Sequence, residues 1–288
     1  MRVLRRRELP PLLFAIHDPP KQLHVRGDGA TEVLARPAVA IVGARACSGY
    51  GAHVARWFAR ELAAAGVVVV SGLARGIDAE AHRGALDAGG VTVAVLGCGI
   101  DRDYPAAHAE LARRICVDGL VVSEYEAGVE PAPWRFPARN RIVAGLCGAT
   151  VVVEARERSG ALITADFALE EGREVLAVPG EITAALSKGT NALLRLGATP
   201  ATSPDDVLEA IGLERAPAAD RPASGARGRL LQLLADGAAS ADELVRRSGL
   251  AADAVAAALV ELELDRRVTA ADGLYRAVAG GTPGVGAV

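Results

Sequence analysis

The sequence predicts an α/β protein: an extended, Rossmann-like, mostly parallel doubly wound sheet, followed by a small C-terminal winged-helix domain. Three observations carry that expectation. Short β-branched runs recur through the first two thirds of the chain, each ending in glycine or a polar turn. Alanine-rich segments with helical spacing separate them. Beyond residue 212 the pattern changes to three short helices and a hairpin.

The strand candidates are Val39–Val42 into Gly43, Val67–Val70 into Ser71-Gly72, and Val91–Leu96 into Gly97. Leu120–Val122 into Ser123-Glu124, Thr150–Val153 into Glu154, and Val175–Val178 into Pro179-Gly180 complete the set. Ala52–Ala65 and Ala161–Glu171 carry the 3.6-residue spacing of helices. Near-continuous apolar strands alternating with helices are buried on both faces, which makes the sheet parallel and helix-covered. The domains expected are a lead-in over residues 1–37, the Rossmann-like domain over 38–211 and a Pro/Ala-rich linker over 212–225. A winged-helix-like unit over 226–279 and a disordered tail over 280–288 follow. Within the small unit, Arg227–Ala235, Glu243–Ser248 and Ala251–Leu264 read as helices, the second started by the capping box Ser240-Ala-Asp-Glu243. Arg267–Arg276 reads as a hairpin around Asp272-Gly273.

Composition narrows the function classes. A chain of 288 residues supports one sizeable core and a second small domain. Half of it is apolar, yet no apolar run reaches the roughly 18 residues of a membrane span. The basic start Met1-Arg-Val-Leu-Arg-Arg-Arg-Glu runs into Pro10-Pro11 without a signal peptide's apolar segment. Cys47, Cys98, Cys116 and Cys147 show no Cys-x-x-Cys spacing, so neither a zinc site nor a disulfide framework is indicated. A cytoplasmic, reduced protein with no metal, no cofactor and no membrane partner is expected. The net charge of −3 excludes a uniformly basic surface but leaves room for a local basic patch. Arginine outnumbers lysine 30 to 2, a bias that genome base composition alone produces, so it carries no functional weight.

The chemistry gathers at the strand ends. Val67–Val70 breaks at Ser71-Gly72, presents Arg75, turns again at Gly76 and starts a helix near Ile77-Asp78. Glycines let backbone N–H groups approach an anion, and a helix N-terminus adds partial positive charge. Arginines 45, 75, 102, 135, 139 and 141 all fall in loops or helix starts beyond strand ends, and so do Tyr50, Tyr104, Tyr125, Trp134 and Phe136. Arginines interleaved with aromatics suit a single-stranded nucleic acid, with guanidiniums on phosphates and rings on bases. The same rings also serve to cap the open end of a sheet. Ser159-Gly160 and Lys188-Gly-Thr-Asn191 read as further anion-friendly helix starts.

Competing chemistries lack their signatures. A dinucleotide site wants Gly-x-Gly-x-x-Gly, but Arg45 stands where the second glycine belongs, and Arg102 displaces the third after Gly97-Cys-Gly99. No Walker loop is present. Asp78 and His82 lie four apart on one helix face, but the reading preferred is a charged helix start with His82 oriented by Asp78. Glu124 and Glu154 are expected to orient Arg139 or Arg141 by paired hydrogen bonds.

An ordered set of motifs resembles one family. Gly43-Ala-Arg45, Ser71-Gly-Leu-Ala-Arg-Gly-Ile-Asp78, Tyr104-Pro105, Ser123-Glu-Tyr125, Phe136-Pro-Ala-Arg-Asn-Arg-Ile142, Ser159-Gly-Ala-Leu-Ile-Thr164, Gly172-Arg-Glu-Val175, Val178-Pro-Gly180 and Gly189-Thr-Asn191 follow one another between Ala38 and about Gly212. They resemble the DNA-processing protein A (DprA, or Smf) family. The resemblance implies a non-enzymatic protein that binds single-stranded DNA, forms a homodimer and loads RecA recombinase during natural transformation. It implies a DNA-binding set of Gly43, Arg45, Ser48, Ser71, Gly72, Arg75, Gly76, Phe136, Arg139, Asn140, Arg141, Ser159 and Thr164, with Arg45 and Arg75 gripping the backbone. Two substitutions depart from the pattern: Glu126 follows Ser-Glu-Tyr where the family has proline, placing an acid near the expected groove, and Ala161 replaces a serine. The 37 residues before the first strand candidate are too few for the sterile-alpha-motif-type domain many members carry.

The winged-helix unit expects its own role. Between Arg227 and Arg276 it has seven arginines against eight carboxylates, and Leu250–Leu264 has no basic or amide side chain. Reading base edges needs such groups, so a protein-contact role is expected rather than duplex reading. Two rival functions compete with strand binding. A phosphoribohydrolase-like nucleotide hydrolase would need a Pro-Gly-Gly-x-Gly-Thr motif, of which only Pro179-Gly180 stands here. A winged-helix transcription regulator is disfavoured by the acidic helix.

Overall fold

The computed structural model describes residues 1–214, 225–235, 237–264, 267–271 and 273–277. The first unit is Met1–Glu214; the second comprises the described residues from 225 onward.

The first unit opens with β1 (Arg2–Arg5), α1 (Pro11–Phe14) and β2 (Gln22–Arg26). Then come β3 (Ala38–Val42), α2 (Gly49–Ala64), β4 (Val68–Ser71), α3 (Ile77–Asp87) and β5 (Thr92–Leu96). The chain continues through α4 (Ala109–Asp118), β6 (Leu120–Ser123), α5 (Arg135–Gly145) and β7 (Ala149–Val152). It ends with α6 (Gly160–Glu170), β8 (Glu174–Ala177), α7 (Lys188–Arg195), β9 (Thr199–Pro200) and α8 (Pro204–Ala210). All nine strands form one sheet in the order β1-β2-β6-β5-β4-β3-β7-β8-β9, parallel from β6 to β9.

Helices cover both faces, as near-continuous apolar strands require. Alternate residues of β3 go to opposite cores. Ala40 and Val42 join Val143 of α5 and Ala165 of α6, while Val39 and Ile41 join Phe58 of α2 and Ile77 of α3. Polar caps set several helix starts: the Ser48 hydroxyl accepts from Gly51 N–H at 3.0 Å, and Ser203 and Asp206 form a capping box at α8.

The strand order has one decisive feature. The chain lays β4, β5 and β6 successively on one side of β3, then crosses back through α5 to place β7 on the other side. Between β3 and β7 the winding reverses, and such a switch point opens a crevice beyond the carboxyl ends of the strands.

The six strand candidates match β3 to β8 to within about a residue at each end. The lead-in is a correction. Residues 1–37 belong to the sheet: β2 pairs antiparallel with β6, and β1 pairs antiparallel with β2. Leu9, Leu13, Ile16, Val33 and Leu34 are buried in the same core. The boundary at residue 38 therefore disappears. The signal was faint because β2 alternates buried Leu23 and Val25 with Gln22, His24 and Arg26, and so lacks a continuous apolar run.

The second unit contains α9 (Gly225–Ala235), α10 (Ala241–Ser248) and α11 (Ala252–Leu264), then a hairpin of β10 (Val268–Ala271) and β11 (Leu274–Ala277). Ser240 caps α10 by accepting from Glu243 N–H. Leu230, Leu234, Leu244, Leu259 and Leu262 make its core. This is the winged-helix order expected. The linker expected over 212–225 falls largely, and the tail over 280–288 wholly, outside the described residues.

Candidate nucleic-acid interface

A cleft of about 380 Å³ lies at the β3/β7 switch point. The loop after β3 supplies Gly43 and Arg45, the loop after β4 supplies Gly72, the first turn of α3 supplies Asp78, and the loop after β7 supplies Arg156, Arg158 and Ser159. The start of α5 covers it with Phe136, Arg139 and Asn140. A second cleft of about 430 Å³ adjoins it, sharing Arg45, Gly72 and Phe136 and adding Arg75 and Tyr104.

Backbone hydrogen bonds hold these loops together. Ala44 N–H donates to the Glu154 carbonyl at 2.7 Å, and Ile77 N–H donates to the Ala44 carbonyl at 3.2 Å. Gly76 makes the second of these possible. Its φ is +75°, and a Cβ there would lie 2.3 Å from the Ala44 oxygen. Gly72 is crowded in another way: a Cβ would meet the Arg139 guanidinium at 2.5 Å and the Asp78 carboxylate at 2.8 Å.

The expected site residues separate into two groups. Arg45 and Arg75 are exposed and have no ion-pair partner among the described residues. The Arg45 guanidinium sits over the Phe136 ring, 5.6 Å from its centre, and Phe136 stacks on Tyr104 at 5.2 Å. Gly43, Gly72, Phe136, Ser159 and Thr164 line the cleft.

The others are spent on the protein itself. Arg139 is only 5 % exposed, and its Nη1 donates to the Val95 carbonyl and, at 2.8 Å, to the Gly72 carbonyl. It is a strut under the β4 loop rather than a free phosphate grip. Burial lowers its pKa and raises that of neighbouring Asp78. Arg141 is forked onto Glu124 at 2.8 and 3.0 Å and also pairs with Asp18 at 2.9 Å. Burial opposes its charge, but the hydrogen bonds and charges of Glu124 and Asp18 outweigh it and raise the pKa. Asn140 accepts from Arg139 and donates to the Gly160 carbonyl. Ser71 is buried and donates to the Ile41 carbonyl at 2.7 Å. Ser48 caps α2 and donates to Glu154 at 2.5 Å.

Other expectations also need correcting. Glu154 braces the β3 loop through Ser48 and does not orient an arginine; Glu124 does, as expected. Asp78 does not orient His82: its carboxylate accepts the Gly72 and Ala74 N–H groups, while His82 Nδ1 bonds Thr92 at 2.7 Å. Asn191 clamps both backbone groups of Gly180 at the start of α7, so that helix start closes a turn instead of offering an anion site. Glu126 is exposed but lines neither cleft.

Arg156 and Arg158 are the residues sequence reasoning missed. Both are exposed, unpaired among the described residues, and stand just before the Ser159 cap of α6. The signal was their position after a strand end beside an anion-friendly helix start. It meant little without knowing that β7 lies next to β3.

Comparison with known proteins decides the family. The family model described as DNA recombination-mediator protein A matches residues 1–212, and that of the DprA winged helix domain matches residues 214–273. The chain belongs to the DNA recombination-mediator protein A family. It is 44 % identical over 271 residues to a putative DNA processing protein DprA of Mycobacterium tuberculosis, covering 91 % of this chain and 70 % of that one. It is 40 % identical over 280 residues to the protein Smf of Escherichia coli, covering 92 % and 74 %. The X-ray structure of DNA processing protein A from Streptococcus pneumoniae superposes with a TM-score of 0.66 at 47 % identity, over 69 % of this chain and 70 % of that one. A structure of DNA processing protein A from Helicobacter pylori, solved for insight into its single-stranded DNA binding mode, superposes with a TM-score of 0.64 at 33 % identity, over 69 % and 91 %.

Proposed function

We propose that this chain binds single-stranded DNA across the two adjoining clefts and, as a homodimer, passes the strand to RecA recombinase. One observation carries the binding reading: Arg45, Arg75, Arg156 and Arg158 stand unpaired, among the described residues, around clefts that also hold the stacked Tyr104–Phe136 rings. Guanidiniums that lack an ion-pair partner take phosphates, and the exposed Tyr104 ring offers stacking surface to bases that have left a duplex. The binding mode described for the Helicobacter pylori relative supports the same ligand.

The reading is of a binding protein rather than an enzyme. The carboxylates near the cleft are already engaged: Glu124 by Arg141, Glu154 by Ser48, and Asp78 by backbone N–H groups. The homodimer is carried over from family membership. RecA loading follows from family membership. The winged-helix unit fits a protein-contact role, with Glu261 and Glu263 exposed on α11.

Salt-dependent affinity for a labelled oligothymidine tests the site. Removing one arginine–phosphate pairing lowers the slope of log K against log salt by about 0.7, so Arg45→Ala with Arg75→Ala is expected to reduce it by about 1.4. An unchanged slope and affinity in the double variant would refute this assignment.

A further inference from the structure

The basic start of the chain has so far been given no role, and the sheet brings it to the edge that carries the clefts. β2 runs antiparallel to β6 and β1 antiparallel to β2, so β1 points the same way as β6. Register sets Ser123, the last residue of β6, beside His24, and His24 beside Val3. Arg5 therefore lies two residues, about 7 Å, past the end of β6, beyond the carboxyl ends of the parallel strands. Arg6 and Arg7 continue from it in a short turn, and Lys21 stands just before β2, next to the Arg5–Gln22 pair. All four cations are exposed, and none has an ion-pair partner among the described residues. The two acids in these segments are engaged: Glu8 accepts the Arg5 N–H at 2.8 Å, and Asp18 accepts from Arg141 at 2.9 Å.

The start of α5 stands between the clefts and this rim. Phe136 meets Arg45 on the cleft side. Arg135 is stacked against two other rings, 5.0 Å from the centre of Tyr125, just beyond the end of β6, and 4.9 Å from that of exposed Trp134. Arg141, further along the same helix, ties it to Asp18 in the segment that leads to Lys21. Four strand spacings separate β4, which precedes the Arg75 loop, from β1, a distance of about 19 Å.

We propose that Arg5, Arg6, Arg7 and Lys21 form an outlying phosphate-binding rim that engages the backbone of the same single strand after it leaves the clefts and passes Trp134. Continuity along one sheet edge favours this ligand: free cations stand at both ends of the path and a stacking ring stands midway, the combination that holds a strand without reading its sequence. The inference extends the single-strand reading and rests on it.

The test measures binding of two labelled oligothymidines to the full chain across a salt series. A strand of about 4 nucleotides is used up by the clefts, whereas one of about 16 reaches both the clefts and the rim. The triple variant Arg5→Ala, Arg6→Ala, Arg7→Ala is expected to lower the long strand's slope of log K against log salt by about 1.4, two phosphate contacts, which is an affinity loss of about 25-fold at 0.1 M relative to 1 M salt. The short strand is expected to bind parent and variant alike, because a Debye length of about 10 Å screens charges about 19 Å away. Lysine at the same three positions is expected to keep the long-strand slope, since a phosphate accepts a point charge there. All three side chains are exposed, and an unchanged tryptophan-fluorescence melt checks that the variant is folded. An unchanged long-strand slope overturns the proposal, and so does an equal loss for both strands, which would reduce the rim to a diffuse field. Loss of an oligoglutamate that the parent binds, with DNA affinity intact, would assign the rim to an acidic protein segment and overturn it likewise. Each of these results leaves the clefts as the strand site, whereas failure of the parent to bind either strand would refute the single-strand reading itself.

Discussion

Arg139→Ala is expected to cost stability first and DNA binding only as a consequence. The Arg139 guanidinium supports two buried backbone carbonyls, those of Gly72 and Val95, and bonds Asn140 Oδ1 at 3.2 Å. Alanine removes this donor from both carbonyls, at a cost of up to about 1–3 kcal/mol each, and deprives buried Asp78 of its main compensating charge. The sum is about 3–5 kcal/mol, the range found when one partner of a buried charged network is removed. For a unit of this size each kcal/mol moves Tm by about 2–4 °C, so a fall of about 6–20 °C is expected. Trp57 and Trp134 both lie in the first unit, so thermal unfolding followed by tryptophan fluorescence reports that unit alone. Arg139→Lys is not expected to rescue it, because an ammonium cannot reproduce a planar fork aimed at two carbonyls. If Arg139→Ala melts within about 2 °C of the parent and loses DNA affinity nonetheless, the residue is a ligand contact and the strut assignment is wrong.

Two further expectations concern the same region. Thr92 donates its only hydroxyl proton to the Val69 carbonyl, so His82 must donate from Nδ1, leaving Nε2 buried without a partner. Burial pushes the His82 pKa down to about 3, helped by the nearby charges of His108 and Arg139. The folded form therefore binds fewer protons than the unfolded chain, and stability is full above pH 6.5 and falls as pH drops toward 3, by about 5 kcal/mol at most. Denaturant titrations from pH 7 to 4 are expected to show a flatter loss in His82→Gln; an identical loss would remove His82 as a cause. Gly76→Ala forces an L residue to φ +75° and puts its Cβ against two backbone oxygens, those of Ala44 and Arg45, so destabilisation of about 2–5 kcal/mol is expected. Melting temperature checks this, and a shift of under about 2 °C would contradict the close packing of the two loops.

Much of the sheet was legible because its signals are local. β3 to β8 each announce themselves by a β-branched run closed by a turn, and Ser48, Ser159 and Ser240 mark helix starts within three residues of the groups they cap. β1 and β2 were hidden because an antiparallel strand with only alternate residues buried resembles a polar loop when its partner is unknown. The site was legible as a set of motifs but not as a set of roles. Phe136-Pro-Ala-Arg-Asn-Arg reads as one cationic run, yet the fold buries Arg139 under the β4 loop and turns Arg141 onto acids in two other segments.

By itself, the sequence determined that this is a parallel α/β protein with glycine-rich turns and arginines at strand ends, since residue period and turn chemistry act over a few positions. The tertiary structure alone decided which of those arginines are free. Arg141 meets Asp18 across 123 residues, and Arg139 meets Gly72 across 67. Arg156 and Arg158 join Arg45 only because the chain crosses the sheet to lay β7 beside β3. A guanidinium's availability depends on which acids and carbonyls end up within reach, and strand order sets that.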